Sequence, residues 1–192
     1  MTPGPAASTM SDITTLDDDA VQAIWQRLLG ALLSGAHPED GDPVTPGVAW
    51  AVYEEHDVFG PDFHARLLEA VGEGGAITAL EYYDDGSGGI TVAGGVRLTV
   101  PGDADAWYDL AMESNVGING MGWILSDDSA TWVAMTVVDV QLVAATADAA
   151  KAWFGSRADA ERRRAAFAEA FDSPDRGEPF QRLVGFARVP AG

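Results

Sequence analysis

The spacing of apolar residues predicts helices towards both ends of the chain. Between Asp17 and Gly35, apolar side chains recur every three or four positions, which is the pattern of one buried helix face. The run Asp17-Asp18-Asp19 opens this segment, where acidic side chains cap free amides and favour the positive helix end. The same periodicity predicts further helices over residues 62–71, 104–113, 147–154 and 156–171.

The pattern changes to strict alternation in the middle of the chain. Residues 76–83 and 90–100 alternate between apolar and polar positions and are joined by a turn rich in aspartate and glycine, which predicts a hairpin. Residues 131–144 are apolar on both faces, which predicts a central strand with a break near 136–139. Residues 48–53 fit a strand or a helical turn, and residues 183–189 predict a last edge strand.

This order of elements predicts one α+β domain. Strands in succession, with helices before and after them, favour a mostly antiparallel sheet of about four to six strands over a βαβ array. N-terminal and C-terminal helices are expected to flank that sheet. Residues 1–13 contain prolines and small residues and are expected to form a disordered lead, which leaves residues 14–192 as the single domain.

The charge of the chain is strongly negative and unevenly placed. Residues 1–150 contain 24 acidic and three basic residues, a net charge of −21, whereas residues 151–192 contain six acidic and eight basic residues, a net charge of +2. Such a surface repels nucleic acid and anionic membranes, and it attracts cationic partners at a salt-dependent rate. Acidity also serves solubility, and this second explanation stays open.

Other classes of protein are disfavoured by what the sequence lacks. No apolar run is long enough to span a bilayer and no signal peptide pattern stands at the start, so a cytoplasmic location is expected. The chain has no cysteine, which excludes disulfides, thiolate metal sites and a cysteine nucleophile. No catalytic residue, metal site or cofactor is predicted, and the oligomeric state stays open.

This chain gives only weak matches to the sequence motifs by which other proteins bind nucleotides, nucleic acids or metals. The glycine-rich segment 117–122 follows a predicted helix and precedes a strand, the reverse of the order in a dinucleotide-binding loop. The run Arg162-Arg163-Arg164 lies on a predicted helix of an acidic protein, so we expect these arginines to pair with the acidic body or with the nearby Asp159 and Glu161. His56 and His64, together with nearby carboxylates, form the densest group of possible ligands.

Two functional hypotheses follow. The first is an acidic interaction protein that binds a basic protein partner, such as a toxin or nuclease, as toxin-neutralising immunity proteins and nucleic-acid mimics do. The alternative is an enzyme or ligand-binding domain, specific for a small molecule or a metal, with a pocket near His56 and His64.

The first hypothesis places the partner contacts in acid-rich loops and at two adjacent tyrosines. Loops on a rigid sheet present side chains to partners, and aromatic residues often anchor interfaces. Trp50 and Trp123 flank such loops, and we expect them to form an aromatic and acidic binding face together with the two tyrosines. Trp25, Trp107 and Trp132 instead lie among the apolar residues that are expected to be buried. The predicted contact residues are Glu39, Asp40, Asp42, Glu54, Glu55, Asp57, Glu81, Tyr82, Tyr83, Asp84, Asp85, Asp127 and Asp128.

Overall fold

The computed structural model describes residues 12–46, 48, 50–55, 57–116, 122–137, 140–172 and 177–188, with the side chains of residues 55, 179 and 188 left out of that description. The strands are β1 (Ile13–Thr15), β2 (Trp50–Glu55), β3 (Ala76–Asp84), β4 (Ile90–Thr99), β5 (Gly122–Asp127), β6 (Trp132–Val137) and β7 (Val140–Ala145). The helices are α1 (Asp18–Leu28), α2 (Pro61–Val71), α3 (Ala104–Glu113), α4 (Ala150–Phe154), α5 (Arg157–Phe171) and α6 (Glu178–Arg188).

The seven strands found in the described residues lie in one antiparallel sheet in the order β1-β4-β3-β5-β6-β7-β2. The predicted α+β fold is therefore confirmed, with one strand more than the upper expected number. The predicted break at 136–139 falls where β6 ends and β7 begins, so the expected long strand is a pair of neighbouring strands. Of the predicted disordered lead, residues 1–11 lie outside the described part, and Ile13 begins β1.

Helices cover both faces of the sheet. Residues of α1 and α6 pack on one face, which we call the α1 face, and α2, α3 and α4 pack on the other, the α3 face. In β6, Val133 and Met135 point to the α1 face, whereas Trp132 and Ala134 point to the α3 face. Helix α5 lies beside the edge strand β2 and contributes to both clusters. Apolar residues on both sides of a strand are thus explained by burial on both sides.

The expected C-terminal edge strand is wrong, because residues 178–188 form helix α6. Leu183 and Val184 are both buried in the α1-face cluster, together with Ala187. Adjacent residues of a strand point to opposite faces, whereas positions i, i+1 and i+4 of a helix share one side. Burial of this set on one face therefore requires a helix.

The predicted acidic cap of α1 is confirmed, whereas α1 ends at Leu28 and not at Gly35. The Asp17 carboxylate accepts a hydrogen bond from the Ala20 amide at 2.8 Å, and the Ser156 hydroxyl accepts one from the Asp159 amide at 3.2 Å. The expected core tryptophans Trp25, Trp107 and Trp132 are all buried. Within the described ranges, no helix has the length and apolar character needed to cross a membrane.

The Tyr82 side chain ties three strands together on the α1 face. Tyr82 of β3 lies opposite Gly122 of β5, and its hydroxyl donates to the carbonyl oxygen of Thr136 on β6. A Cβ atom added at Gly122 would lie 2.3 Å from carbon atoms of the Tyr82 ring. The ring thus occupies the space of a side chain at position 122, and burial raises the pKa of its hydroxyl, which stays a hydrogen-bond donor.

We predict that Gly122→Ala lowers the free energy of unfolding by about 2 kcal/mol, because Tyr82 must leave its place over β5 and release its bond to Thr136. Chemical denaturation monitored by tryptophan fluorescence measures this change. Gly94→Ala is the matched control in β4, since its Cβ would meet its nearest neighbour, the Glu81 carboxylate, at an ordinary 3.8 Å. Equal stability of the two variants would show that Tyr82 does not constrain position 122.

Candidate functional site

The loop that follows α1 docks on the turn between β3 and β4. The Ile90 amide donates to the Gly35 carbonyl at 2.9 Å, and the His37 amide donates to the Gly88 carbonyl at 2.9 Å. Between these bonds, Ala36 and Gly89 form an antiparallel bridge. Two segments that are far apart in the sequence are therefore joined through their backbones.

This docking brings four exposed carboxylates to one end of the sheet. Glu39 and Asp40 come from the loop, and Asp84 and Asp85 come from the hairpin; we call these four residues the acidic rim. One ligand atom from each of His37, Asp40 and Asp84 lies within 4.8 Å of the other two, so Asp40 and Asp84 lie close together across the junction. Four of the predicted contact residues thus form one surface.

The hairpin turn fixes the positions of its two carboxylates. Asp85 Oδ1 accepts bonds from the Ser87 amide at 2.7 Å, the Ser87 hydroxyl at 2.7 Å and the Gly89 amide at 3.0 Å. The hydroxyl and the amide of Ser87, followed by the amide of Gly89, lower the pKa of Asp85. Asp84 Oδ1 accepts from the Gly86 amide at 2.7 Å. The turn therefore holds charged groups in a set geometry.

Helix α6 supports the loop side of the rim. Arg182 donates to the backbone carbonyl of Glu39 and forms an ion pair with Glu178 at 2.8 Å. The His37 ring lies 6.1 Å from the Tyr82 ring, centroid to centroid. Loop, hairpin and α6 thus meet at the same corner of the α1 face.

The two adjacent tyrosines divide between the faces of the sheet. Tyr82 is buried on the α1 face, whereas Tyr83 is 37% exposed and points to the α3 face. Glu81 shares that face with Tyr83, and a hydrogen bond to Glu81 raises the pKa of the Tyr83 hydroxyl. Tyr83 and Glu81 therefore border the rim on the side opposite to His37.

Asp127 and Asp128 lie at the other end of the sheet. Asp127 pairs with Ile77 at the start of β3, so about seven residues, or roughly 23 Å, separate it from Asp84. The Asp127 carboxylate closes its own turn by accepting from the Thr131 amide at 2.7 Å, and Asp128 forms an ion pair with Arg97. The structure does not bring these two residues to the rim.

Asp42 and Asp57 also lie apart from the rim. The Asp42 carboxylate accepts a bond from the Val44 amide at 3.0 Å; burial raises its pKa, and this amide and Arg164 oppose that shift. The Asp57 carboxylate lies against Gly60 at the start of α2. The Glu55 side chain falls outside the described part, as does the whole of His56.

Glu54 is engaged inside the protein. One carboxylate oxygen accepts from Arg66 at 2.8 Å and from the Gln141 amide group at 2.8 Å, and the other pairs with Arg163. Burial alone would raise the pKa of Glu54, but the two arginines and Gln141 outweigh it and lower that pKa. The side chain therefore links α2, α5 and the edge strand β2.

Two arginines of the α5 run form ion pairs within the chain, as expected, and the third binds backbone carbonyl groups. Arg162 forms an ion pair with Asp159, and Arg163 forms one with Glu54. Arg164 is buried and donates to the carbonyl oxygens of Ala187, Ala51 and Phe186. These bonds attach α5 to β2 and α6.

The described residues give little support to a pocket at His64. Its Nε2 lies 2.7 Å from the carbonyl oxygen of Pro101, and its buried ring stacks on Trp107 at 6.3 Å. A cavity of about 490 Å³ lies elsewhere, against α5, where Glu161 and Arg164 are among its lining residues. The histidine that does meet carboxylates is His37, which the sequence shows only as a loop residue.

The expected aromatic and acidic face is only partly present. Trp123 is 7% exposed, and Trp50 is partly buried and stacks on Phe154 at 5.9 Å. Of the four aromatic residues proposed for that face, Tyr83 is the one with a large exposed fraction. No protein-family model, no curated protein and no solved structure matches this chain.

We predict that Glu54→Gln lowers the free energy of unfolding by about 2 kcal/mol at neutral pH, because two arginines lose a partly buried anionic partner. The pKa of Glu54 is lower in the folded protein than in the unfolded chain. Its contribution to stability is therefore fully present above the pKa of the unfolded chain, and it is lost as pH falls through the pKa of the folded protein. Urea denaturation of both proteins between about pH 3 and pH 7 tests this, since the difference in stability should shrink in acid. A difference that is independent of pH would contradict it.

Proposed function

We propose that this chain is an interaction protein that binds a basic protein partner through its acidic rim. The observation that carries the proposal is the docking of the loop on the hairpin, which places Asp40 close to Asp84 and brings Glu39 and Asp85 to the same end of the sheet. The partner belongs to the class of basic toxins or nucleases, and the chain acts as a neutralising protein or nucleic-acid mimic. Its proposed place of action is the cytoplasm.

Charge supports the proposal at two distances. At long range, the net charge of −19 creates a negative potential that steers a cationic protein towards the chain and raises its association rate. At short range, carboxylates match the guanidinium groups of arginine, which bind them in pairs of parallel hydrogen bonds. The same charge disfavours direct binding of nucleic acid or an anionic membrane.

Rigidity supports the proposal as well. The bonds from Ser87 and Gly89 hold Asp85, and the bond from Gly86 holds Asp84, before any partner arrives. A contact surface that is already ordered loses less conformational entropy on binding than a mobile one. The rim therefore suits a partner with a fixed cluster of lysine or arginine side chains.

The proposal predicts that Asp40→Asn/Asp84→Asn slows association with the partner by about tenfold at low ionic strength, because two rim charges are lost while the asparagine oxygen can still accept the turn bond. The partner is first isolated on the immobilised wild-type chain at low salt and identified by mass spectrometry. Surface plasmon resonance with the purified partner then measures the association rate against salt concentration.

The matched control is Glu73→Gln/Asp148→Asn, which removes the same amount of charge from exposed positions at the other end of the sheet. At an ionic strength of about 0.1 M, where the Debye length is about 10 Å, its association rate should stay within about twofold of wild type, because charges at the far end of the sheet are screened. The proposal fails if no basic protein is retained at low salt. It also fails if the two variants slow association equally.

A further inference from the structure

In the described part of the chain, three large apolar side chains are exposed, and all three lie on the α3 face. Among the described residues, those with the greatest exposure are Tyr83 at 37%, Tyr108 at 48% and Met112 at 41%. Tyr83 lies on the α3 face of β3, and the other two belong to α3 itself. Exposed apolar side chains that adjoin one another, as Tyr108 and Met112 do on α3, are typical of a binding site.

Helix α3 separates buried and exposed residues sharply. Trp107, Leu110 and Ala111 are buried against the sheet. Tyr108 and Met112 lie four positions apart, so they share one stripe on the outer side of the helix. The Phe59 ring meets Tyr108 edge-on, with centroids 6.1 Å apart, which holds the tyrosine in place.

An acidic stripe runs beside this apolar stripe. Asp105, Asp109 and Glu113 are exposed and follow one another at intervals of four residues. Asp109 comes directly after Tyr108 and Glu113 directly after Met112, so the acidic stripe lies next to the apolar one on the helix surface. Helix α3 contains no basic residue. The outer side of α3 therefore presents two parallel stripes, one apolar and one negative.

We propose that a basic amphipathic helix of the protein partner docks along α3. Its apolar residues contact Tyr108 and Met112, and its lysine or arginine residues face the stripe of Asp105, Asp109 and Glu113. This inference rests on the proposed function and adds the chemistry of the partner segment. Tyrosine is a frequent interface anchor, and the flexible methionine adapts to apolar side chains of different shapes.

Tyr83, which is exposed on the same face of the sheet as α3, adjoins the acidic rim. Tyr83 directly precedes Asp84, so its exposed ring on the α3 face borders a rim carboxylate. Charged residues steer an encounter, whereas buried apolar contacts determine how long a complex lasts. The rim and the α3 stripes thus act at successive stages of the same binding event.

The test uses two synthetic helical peptides of equal length and charge. One is an amphipathic peptide of lysine and leucine, and the other has glutamine in place of every leucine. Fluorescence anisotropy titrations compare wild type with Tyr108→Ser/Met112→Ser, whose exposed positions leave the core intact. The leucine peptide should bind wild type about tenfold more tightly than the glutamine peptide, and the variant should lose that advantage.

The inference is overturned if the leucine peptide has no advantage on wild type, or if the double variant keeps it. The proposed function is tested separately by the rim variant Asp40→Asn/Asp84→Asn and the isolated partner. If the rim variant associates slowly but Tyr108→Ser/Met112→Ser still binds the leucine peptide more tightly than the glutamine peptide, the α3 site alone is refuted. If the rim variant associates at the wild-type rate but Tyr108→Ser/Met112→Ser no longer prefers the leucine peptide, the rim alone is refuted.

Discussion

The backbone pairing between the loop after α1 and the β3–β4 turn is the contact on which the acidic surface depends. It holds four carboxylates together although each exposed pair in contact repels by about 1 kcal/mol in water. The amides of His37 and Ile90 donate across the junction. Each such bond contributes about 1 kcal/mol net, so a few of them offset the repulsion that the rim creates.

Carboxylates in this protein divide into two groups with different tasks. Glu54 binds two arginines between β2 and its flanking helices, Asp127 closes a turn and Asp17 caps α1. Asp105 and Asp109, like the rim residues, lie exposed on the surface. The acidity of the chain is therefore partly structural, and net charge alone does not locate a binding surface.

Much of the fold follows from local patterns in the sequence, whereas the site does not. The helices α2, α3 and α5 and the β3–β4 hairpin are visible in the periodicity of apolar residues. Helix α6 was missed because a short apolar run fits a strand or a helix, and packing against the α1 face decides between them. Nothing local indicates that Asp40 meets Asp84, which depends on the docking of the loop on the hairpin, or that Asp127 lies at the opposite end, which depends on the pairing of β3 with β5.

Amide hydrogen exchange of the chain, alone and in complex with the basic protein that we propose as its partner, tests the central claim most directly. The account predicts that partner binding slows exchange in residues 37–42 and 84–89, because the rim becomes covered. Exchange in the turn at 127–131, at the other end of the sheet, should stay unchanged. Protection confined to that turn, or to the edge strand β2, would contradict the assignment of the rim as the contact surface.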